Sequence, residues 1–256
     1  MVILIFFTVH WYTSFFLQSF FHHRYAAHRH FVMSKTSEKF FYICCSLVHG
    51  SSYISPNAFG IMHRLHHMHA DTEADPHSPS YHPGFFATLL QTRNSYHNIF
   101  CGRTPVEGKF KNDLPRWDSF EKIVHNWITR IVWGLLYTIF YIAFATAWWM
   151  FILLPVTIGL STIQGTMINW WAHKFGYVNY PMRNTSKNIL PIDLLFCGDA
   201  YHNNHHKFPG RIKNSHRWFE IDIIYRVTCL LQKMNVIQWR SNHQHEISPE
   251  NRPLSS

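Results

Sequence analysis

Charge is distributed in blocks along this chain, and the blocks predict its elements. Residues 1–23 contain no Lys, Arg, Asp or Glu, and neither do residues 131–173; all 23 basic and 14 acidic residues fall in 24–130 and 174–256. Uncharged apolar runs of about 20 residues read as membrane spans. The first, about 1–21, is long enough for one crossing. The second, at ~1.5 Å per residue, is about 65 Å of helix and suits two crossings of a ~30 Å core. We place these spans at about 131–148 and 151–170. The turn falls near Trp148-Trp149-Met150, and Pro155 starts or kinks the return helix. A third uncharged run, Phe40–Met62, is interrupted by Gly50-Ser51-Ser52 and Ser55-Pro56-Asn57. That break suits an interfacial or re-entrant helix whose polar part is buried in protein.

The expected fold is therefore an all-α integral membrane protein. About three transmembrane helices and the interfacial element at 40–62 carry a helical cytoplasmic cap, 63–130 and 174–240. Residues 1–240 form one domain and 241–256 a polar tail. The segment 91–130 is a mixed polar connection with short helices, and Ile221–Trp239 is amphipathic. With the N-terminus outside, every Lys and Arg falls on the inner side, and Arg24 and Arg29 mark the inner end of the first span. Residues 1–21 lack a basic n-region and a small-residue cleavage motif, so they read as a retained span.

Charge and cysteine content narrow the classes. The formal net charge of +9 fits positive-inside topology and attraction to anionic lipid, and no basic stripe suggests nucleic acid as a partner. The five cysteines form no CxxC pair, which argues against a disulfide framework or a thiolate zinc site and leaves them as buried thiols.

Histidine changes the picture. The triad His202-Asn203-Asn204-His205-His206 repeats the spacing of His63-Arg64-Leu65-His66-His67. Random placement of the histidines predicts roughly 0.14 copies of HxxHH. Histidines at i, i+3 and i+4 share one helix face. His23 and His28, at i and i+5, reach one centre only if their helix ends or distorts, and His22 and His30 flank them as competitors. His173 stands one turn after Asn169. If His23/His28 meet His63/His66/His67, the segment between them returns to its own side, since 23 residues cannot cross twice.

Nine imidazoles result: His23, His28, His63, His66, His67, His173, His202, His205 and His206. That is too many for a closed structural zinc site and suits two metals of coordination five or six, which favours iron. Asp71, Glu73, Asp75 and Asp199 are candidates to hold imidazole N–H groups from behind. The basic run Lys207, Arg211, Lys213 and Arg217 is a candidate contact for substrate phosphates or an acidic carrier protein.

These motifs carry a resemblance. His23-Arg24…His28, His63-Arg64-Leu65-His66-His67 with Asp75-Pro76-His77, Asn169…His173-Lys174-Phe175-Gly176-Tyr177, and Gly198-Asp199…His202-Asn203-Asn204-His205-His206…Phe208-Pro209 resemble the histidine boxes of membrane-bound fatty acid desaturases, specifically the acyl-CoA Δ9 (stearoyl-CoA) branch, over roughly residues 10–215. The resemblance implies a diiron centre on the cytoplasmic side and O2-dependent formation of a cis double bond in a fatty acyl chain. It places His66, His173, His202 and His206 on one iron, with Asn169 acting through a water. His23, His28, His63, His67 and His205 go to the other. Two electrons come from an external ferredoxin- or cytochrome b5-like carrier with its reductase, since no flavin, haem or Fe–S motif occurs here. The family usually has four spans with both termini cytoplasmic, whereas here the span that leads into the first box comes first, which suits either a short branch or a sequence that starts internally. The same boxes occur in hydroxylases and alkane monooxygenases, and the HRxHH…DPH and NxxxH…HNxHH details favour desaturation. A metal transporter would place its ligands near the bilayer midplane rather than beside the charged blocks, and no HExxH supports a zinc protease.

Overall fold

In the computed structural model the described residues are 1–81 and 84–240. The tail expected over 241–256 lies outside them. The chain is mostly helical, with one two-stranded sheet among the described residues. Helix α1 (Val2–Leu17) runs straight into a π-helical segment, Gln18–Ala27. The apolar rod therefore continues six residues beyond the expected 21. The distortion that His23 and His28 require is this wider helix, in which His28 N–H bonds the carbonyl of His23 at 3.1 Å and brings i and i+5 into line.

Strand β1 (Phe31–Met33) then pairs antiparallel with β2 (Ile237–Trp239), with Phe31 opposite Trp239 and Met33 opposite Ile237. This pair was not anticipated, because three residues are too few for a readable alternation. It replaces the C-terminal end of the expected 221–239 amphipathic helix, which is confined to α11 (Ile223–Lys233).

The segment expected as one interfacial helix over 40–62 is two helices meeting at a buried break. Helix α2 (Lys35–His49) is capped by Ser34, which accepts from Ser37 N–H at 3.0 Å, and exposes Phe40, Ile43 and Leu47 along one face. Its end is Gly50, at φ +49°. A short 3-10 turn, Gly50–Ser52, leads to helix α3 (Pro56–His69), where Ser55 caps and Pro56 occupies the first turn. Breaking a helix in an apolar setting frees backbone groups that must be paired. Arg130 donates to the carbonyls of Ser51 and Tyr53, both at 2.7 Å. The Ser52 hydroxyl pairs with that of Ser161 at 2.7 Å, and Ser51 donates to the carbonyl of Ile158. The polar break is thus closed by protein.

Helices α4 (Phe85–Phe100), α5 (Gly108–Lys111) and α6 (Asp118–Val124) follow. At 16 residues, α4 is longer than the short helices expected there. Helix α7 (Trp127–Phe144), capped by Asn126, starts and ends four residues before the expected 131–148 span. Its apolar residues Ile128, Ile131, Leu135, Ile139 and Ile142 are exposed, a surface that suits lipid rather than water.

After a 3-10 turn at Trp148–Ile152, the return is broken. Helix α8 (Leu153–Ile158) meets α9 (Leu160–Ala172) at 78°. Pro155 stands at the start of the return helix, one of the two roles expected of it, and the bend is at Gly159. Pro155 lies in the first turn, where its missing N–H costs nothing, while Gly159 has a non-helical ψ of 14°. By length and composition two helices can cross a membrane, or three if the bent pair counts as one. Helix α10 (His202–Lys207) carries the third histidine motif.

Gly50 is a sharp local requirement at this break. A Cβ there meets the Tyr137 ring and approaches Trp133 Cδ2 to 3.2 Å, at a φ that L-residues avoid. Gly50→Ala is expected to destabilise by about 2 kcal/mol or more in detergent unfolding; an unchanged midpoint would show the break to be adaptable.

Candidate metal centre

Four segments deliver the nine imidazoles to one buried place. The π segment supplies His23 and, just after it, His28; α3 supplies His63, His66 and His67; the end of α9 supplies His173; α10 supplies His202, His205 and His206. Two groups form, each able to offer ligand atoms within 4.8 Å of one another: His23, His28, His63 and His205, and His66, His173, His202 and His206. His67 links them. Its Nε2 is 3.0 Å from His63 Nε2 and 2.8 Å from His205 Nε2, and its ring lies 4.4 Å from that of His206. His28 Nε2 approaches His63 Nε2 to 2.8 Å, so the first two motifs share one side. His22 and His30 do not join: their Nε2 atoms face the carbonyls of Ile54 and Pro209.

The electrostatics favour a cation between these rings. Burial first, and then the crowd of neighbouring imidazoles, holds His28, His63, His202, His205 and His206 well below the ordinary histidine range, and pushes His67 down to about 3. The rings are therefore neutral at physiological pH, each with one lone pair to offer. Asp75 accepts from His66 Nδ1 at 2.9 Å, so the His66 Nε2 lone pair faces His206 Nε2 at 3.1 Å. Asp71 lies 3.2 Å from His173 Nδ1, and His173 Nε2 is buried without a hydrogen-bond partner. Lone pairs aimed at one another, and one aimed at nothing, are the fit expected of a metal-binding donor set.

Asp199 stands 3.9 Å from His23 Nδ1. Glu73 is exposed and holds no imidazole. Asn169 donates to its own-turn carbonyl at Gly165 and lines the cavity beside the histidines. Lys207, Arg211, Lys213 and Arg217 are exposed on the chain after α10; Arg211 lies over the Phe208 ring at 4.2 Å and Arg217 donates to Asn179.

An apolar cavity of about 380 Å³ runs between α3, α4, α7 and α9, lined by residues such as Tyr53, Met62, Phe100 and Trp127. A second, about 50 Å³, reaches His23, His63 and His202. Gln18, Phe59, Gly165 and Asn169 line both, so the large cavity leads to the imidazoles.

A family profile described as fatty acid desaturase matches residues 1–241. The chain belongs to the fatty acid desaturase family. It is similar to an sn-1 stearoyl-lipid 9-desaturase of Anabaena variabilis, at 28% identity over 82% of this chain and 73% of that protein. It is also similar to Delta-9 acyl-lipid desaturase 1 of Arabidopsis thaliana, at 30% identity over 82% of this chain and 66% of the relative, and to a hex-5-enoyl-[acyl-carrier protein] acetylenase of Moorena producens, at 26% over 84% and 69%. The chain spans about two thirds of the length of several such relatives.

Several residues that build this desaturase's site were misread or missed from sequence. Arg24 is not an interfacial charge at the end of a span. It is fully buried, donating to Asp199 at 3.0 Å, to both oxygens of Asp222 at 3.1 and 2.9 Å, and to the carbonyl of Ile212. The spacer asparagines of the third motif are not filler. Asn203 bonds Asn179, Tyr180 and Ser186, while Asn204 bonds Asn179, Asn188, Asn214 and Glu220. The Asn188 carbonyl oxygen of the side chain accepts from Asn203 and Asn204 N–H at 3.0 and 3.2 Å, fixing the start of α10. The only sequence signal for this network was amide residues between ligands.

Two outcomes test this construction. Arg24→Met leaves Asp199 and Asp222 buried without their cation and is expected to cost about 3–5 kcal/mol of stability in chemical unfolding; a loss under 1 kcal/mol would remove Arg24 from its supporting role. Asp75→Asn is expected to weaken metal binding by about 10–100-fold in competition with a chromophoric chelator, and unaltered affinity would show that His66 needs no carboxylate behind it.

Proposed function

We propose that this chain is an O2-dependent diiron desaturase that introduces a Δ9-type cis double bond into a saturated fatty acyl chain. The observation that carries the reading is the junction of an apolar cavity with two groups of four imidazoles. In the balance of the reaction, one CH2–CH2 unit, O2, two electrons and two protons give one double bond and two waters. Two irons, when bound, supply oxidising power for unactivated C–H bonds that no acid or base side chain has.

The protein's part is holding and orienting. Asp75 and Asp71 keep the Nδ1 protons of His66 and His173, turning their Nε2 lone pairs inward. The aromatic and aliphatic cavity excludes water and fixes the register of the chain. Phe59, Gly165 and Asn169 at the junction place one segment of that chain near the ligands.

The proposed ligand sets are His66, His173, His202 and His206, with Asn169 through a water, and His23, His28, His63, His67 and His205. About three spans carry the site on the cytoplasmic side of a multi-pass protein, supported by the inward bias of Lys and Arg. Electrons come from an acidic carrier, ferredoxin- or cytochrome b5-like with its reductase, for which exposed Lys207, Arg211, Lys213 and Arg217 offer complementary charge. The acyl donor is taken as a thioester such as acyl-CoA. An acyl-lipid donor, which the names of the Anabaena and Arabidopsis relatives specify for those proteins, is separated from it by supplying membranes with labelled acyl-CoA or labelled glycerolipid.

Expression in a host without its own desaturase, with fatty acids profiled by gas chromatography and mass spectrometry, tests the proposal. A new monounsaturated acid that falls at least 100-fold in His205→Ala is the expected result. Hydroxylated products, or no change with iron and a reductase supplied, would refute it.

A further inference from the structure

A second cluster of ligand-type side chains lies outside the nine-imidazole centre. Cys45 and His49 are one turn apart on the buried face of α2, so both point the same way. His22, in the π segment, faces them, with its ring centroid 5.3 Å from that of His49. All three residues are fully buried. Each can offer one ligand atom, and the three atoms lie within 4.8 Å of one another. Ligands 2.0–2.3 Å from a shared ion stand roughly 3.3–4 Å apart, so a shift of under about 1 Å closes the set.

The backs of the two rings are already held. His22 Nε2 faces the carbonyl of Ile54 at 2.8 Å, and His49 Nε2 faces that of Ser14 at 3.3 Å. A carbonyl only accepts, so Nε2 carries the proton in both rings and Nδ1 keeps its lone pair. His49 Nδ1 is buried with no hydrogen-bond partner. His22 Nδ1 has only the Leu17 carbonyl, at 3.5 Å, itself an acceptor. Two rings clustered with a buried thiol, each anchored through one nitrogen to a backbone carbonyl and keeping a lone pair on the other, is the arrangement by which proteins orient metal-binding histidines.

We propose that His22, Cys45 and His49 bind one d10 cation, Zn2+ or Cu+, at a site separate from the nine-imidazole centre. One thiolate with two imidazoles selects these ions over the harder cations, and binding releases the thiol proton to solvent. The site is structural. It staples the segment that carries His23 to the end of α2, beside the break at Gly50. The absence of a CxxC pair hid it in the sequence, because the three ligands come from two separated segments.

Cobalt titration of the purified full-length protein in detergent tests this, because a thiolate-to-Co2+ charge-transfer band in the near ultraviolet requires sulfur and the nine imidazoles provide none. The expected result is a band whose full amplitude corresponds to one thiolate-bound Co2+ per chain, displaced by Zn2+. It is retained in Cys44→Ser, lost in Cys45→Ser and weakened at least tenfold in affinity in His49→Gln. A wild-type protein titrated to saturation without the band would overturn the proposal, whatever the folding of the variants. A band that survives Cys45→Ser would overturn it equally. The outcome is independent of desaturase activity.

Discussion

Eight neutral imidazoles packed with ring nitrogens 2.8–3.1 Å apart, with the His173 ring beside them, are the constraint on which the rest of this molecule depends. Each such contact needs one proton between two nitrogens, and a neutral ring has only one to give. Where Asp75 accepts the Nδ1–H of His66, the facing nitrogen has a lone pair and nothing of its own to donate. The cluster is electrostatically incomplete without positive charge among the rings. Burial makes this sharper, because it removes the alternative of charging the histidines themselves.

Holding such a donor set requires rigid surroundings, and the protein builds them from buried polar groups that are closed in on themselves. Arg24 joins the π segment to Asp199 and Asp222, and Asp222 also caps α11 by accepting from Tyr225 N–H at 2.8 Å. Glu220, Asn188 and Asn204 tie the connection after α9 to α10. Arg130 and the Ser52–Ser161 pair close the helix break beneath α3. Most of these interactions link segments far apart in sequence, so the four histidine-bearing segments are held by contacts outside the imidazole cluster. A buried charge pair of this kind adds specificity more reliably than stability.

The sequence made the histidine clusters legible and their supports hard to see. Helical spacing of histidines survives in the one-dimensional pattern because i, i+3 and i+4 is a local rule; His63/His66/His67 and His202/His205/His206 could be read from it directly. The broken segment at 40–62 was legible as interrupted, since serines, glycine and proline are costly facing lipid. Its division into α2 and α3 depends on Gly50 and on Arg130, 80 residues away, and no local rule reaches that far. Arg24 was misread because a charge after an apolar run has an ordinary interfacial meaning, and its partners come 175 and 198 residues later. The bend at Gly159 instead of Pro155 has a different cause: proline is harmless in a first turn, and the sequence left the start of that turn open.

The central claim is that two groups of imidazoles hold two irons. The direct measurement is iron per chain by mass spectrometry on protein reconstituted anaerobically, in wild type and in a variant with His173 and His202 both replaced by Ala. Two irons per chain are expected in the first and one in the second. One iron in both proteins, or a wild type that retains zinc in place of iron, would contradict it.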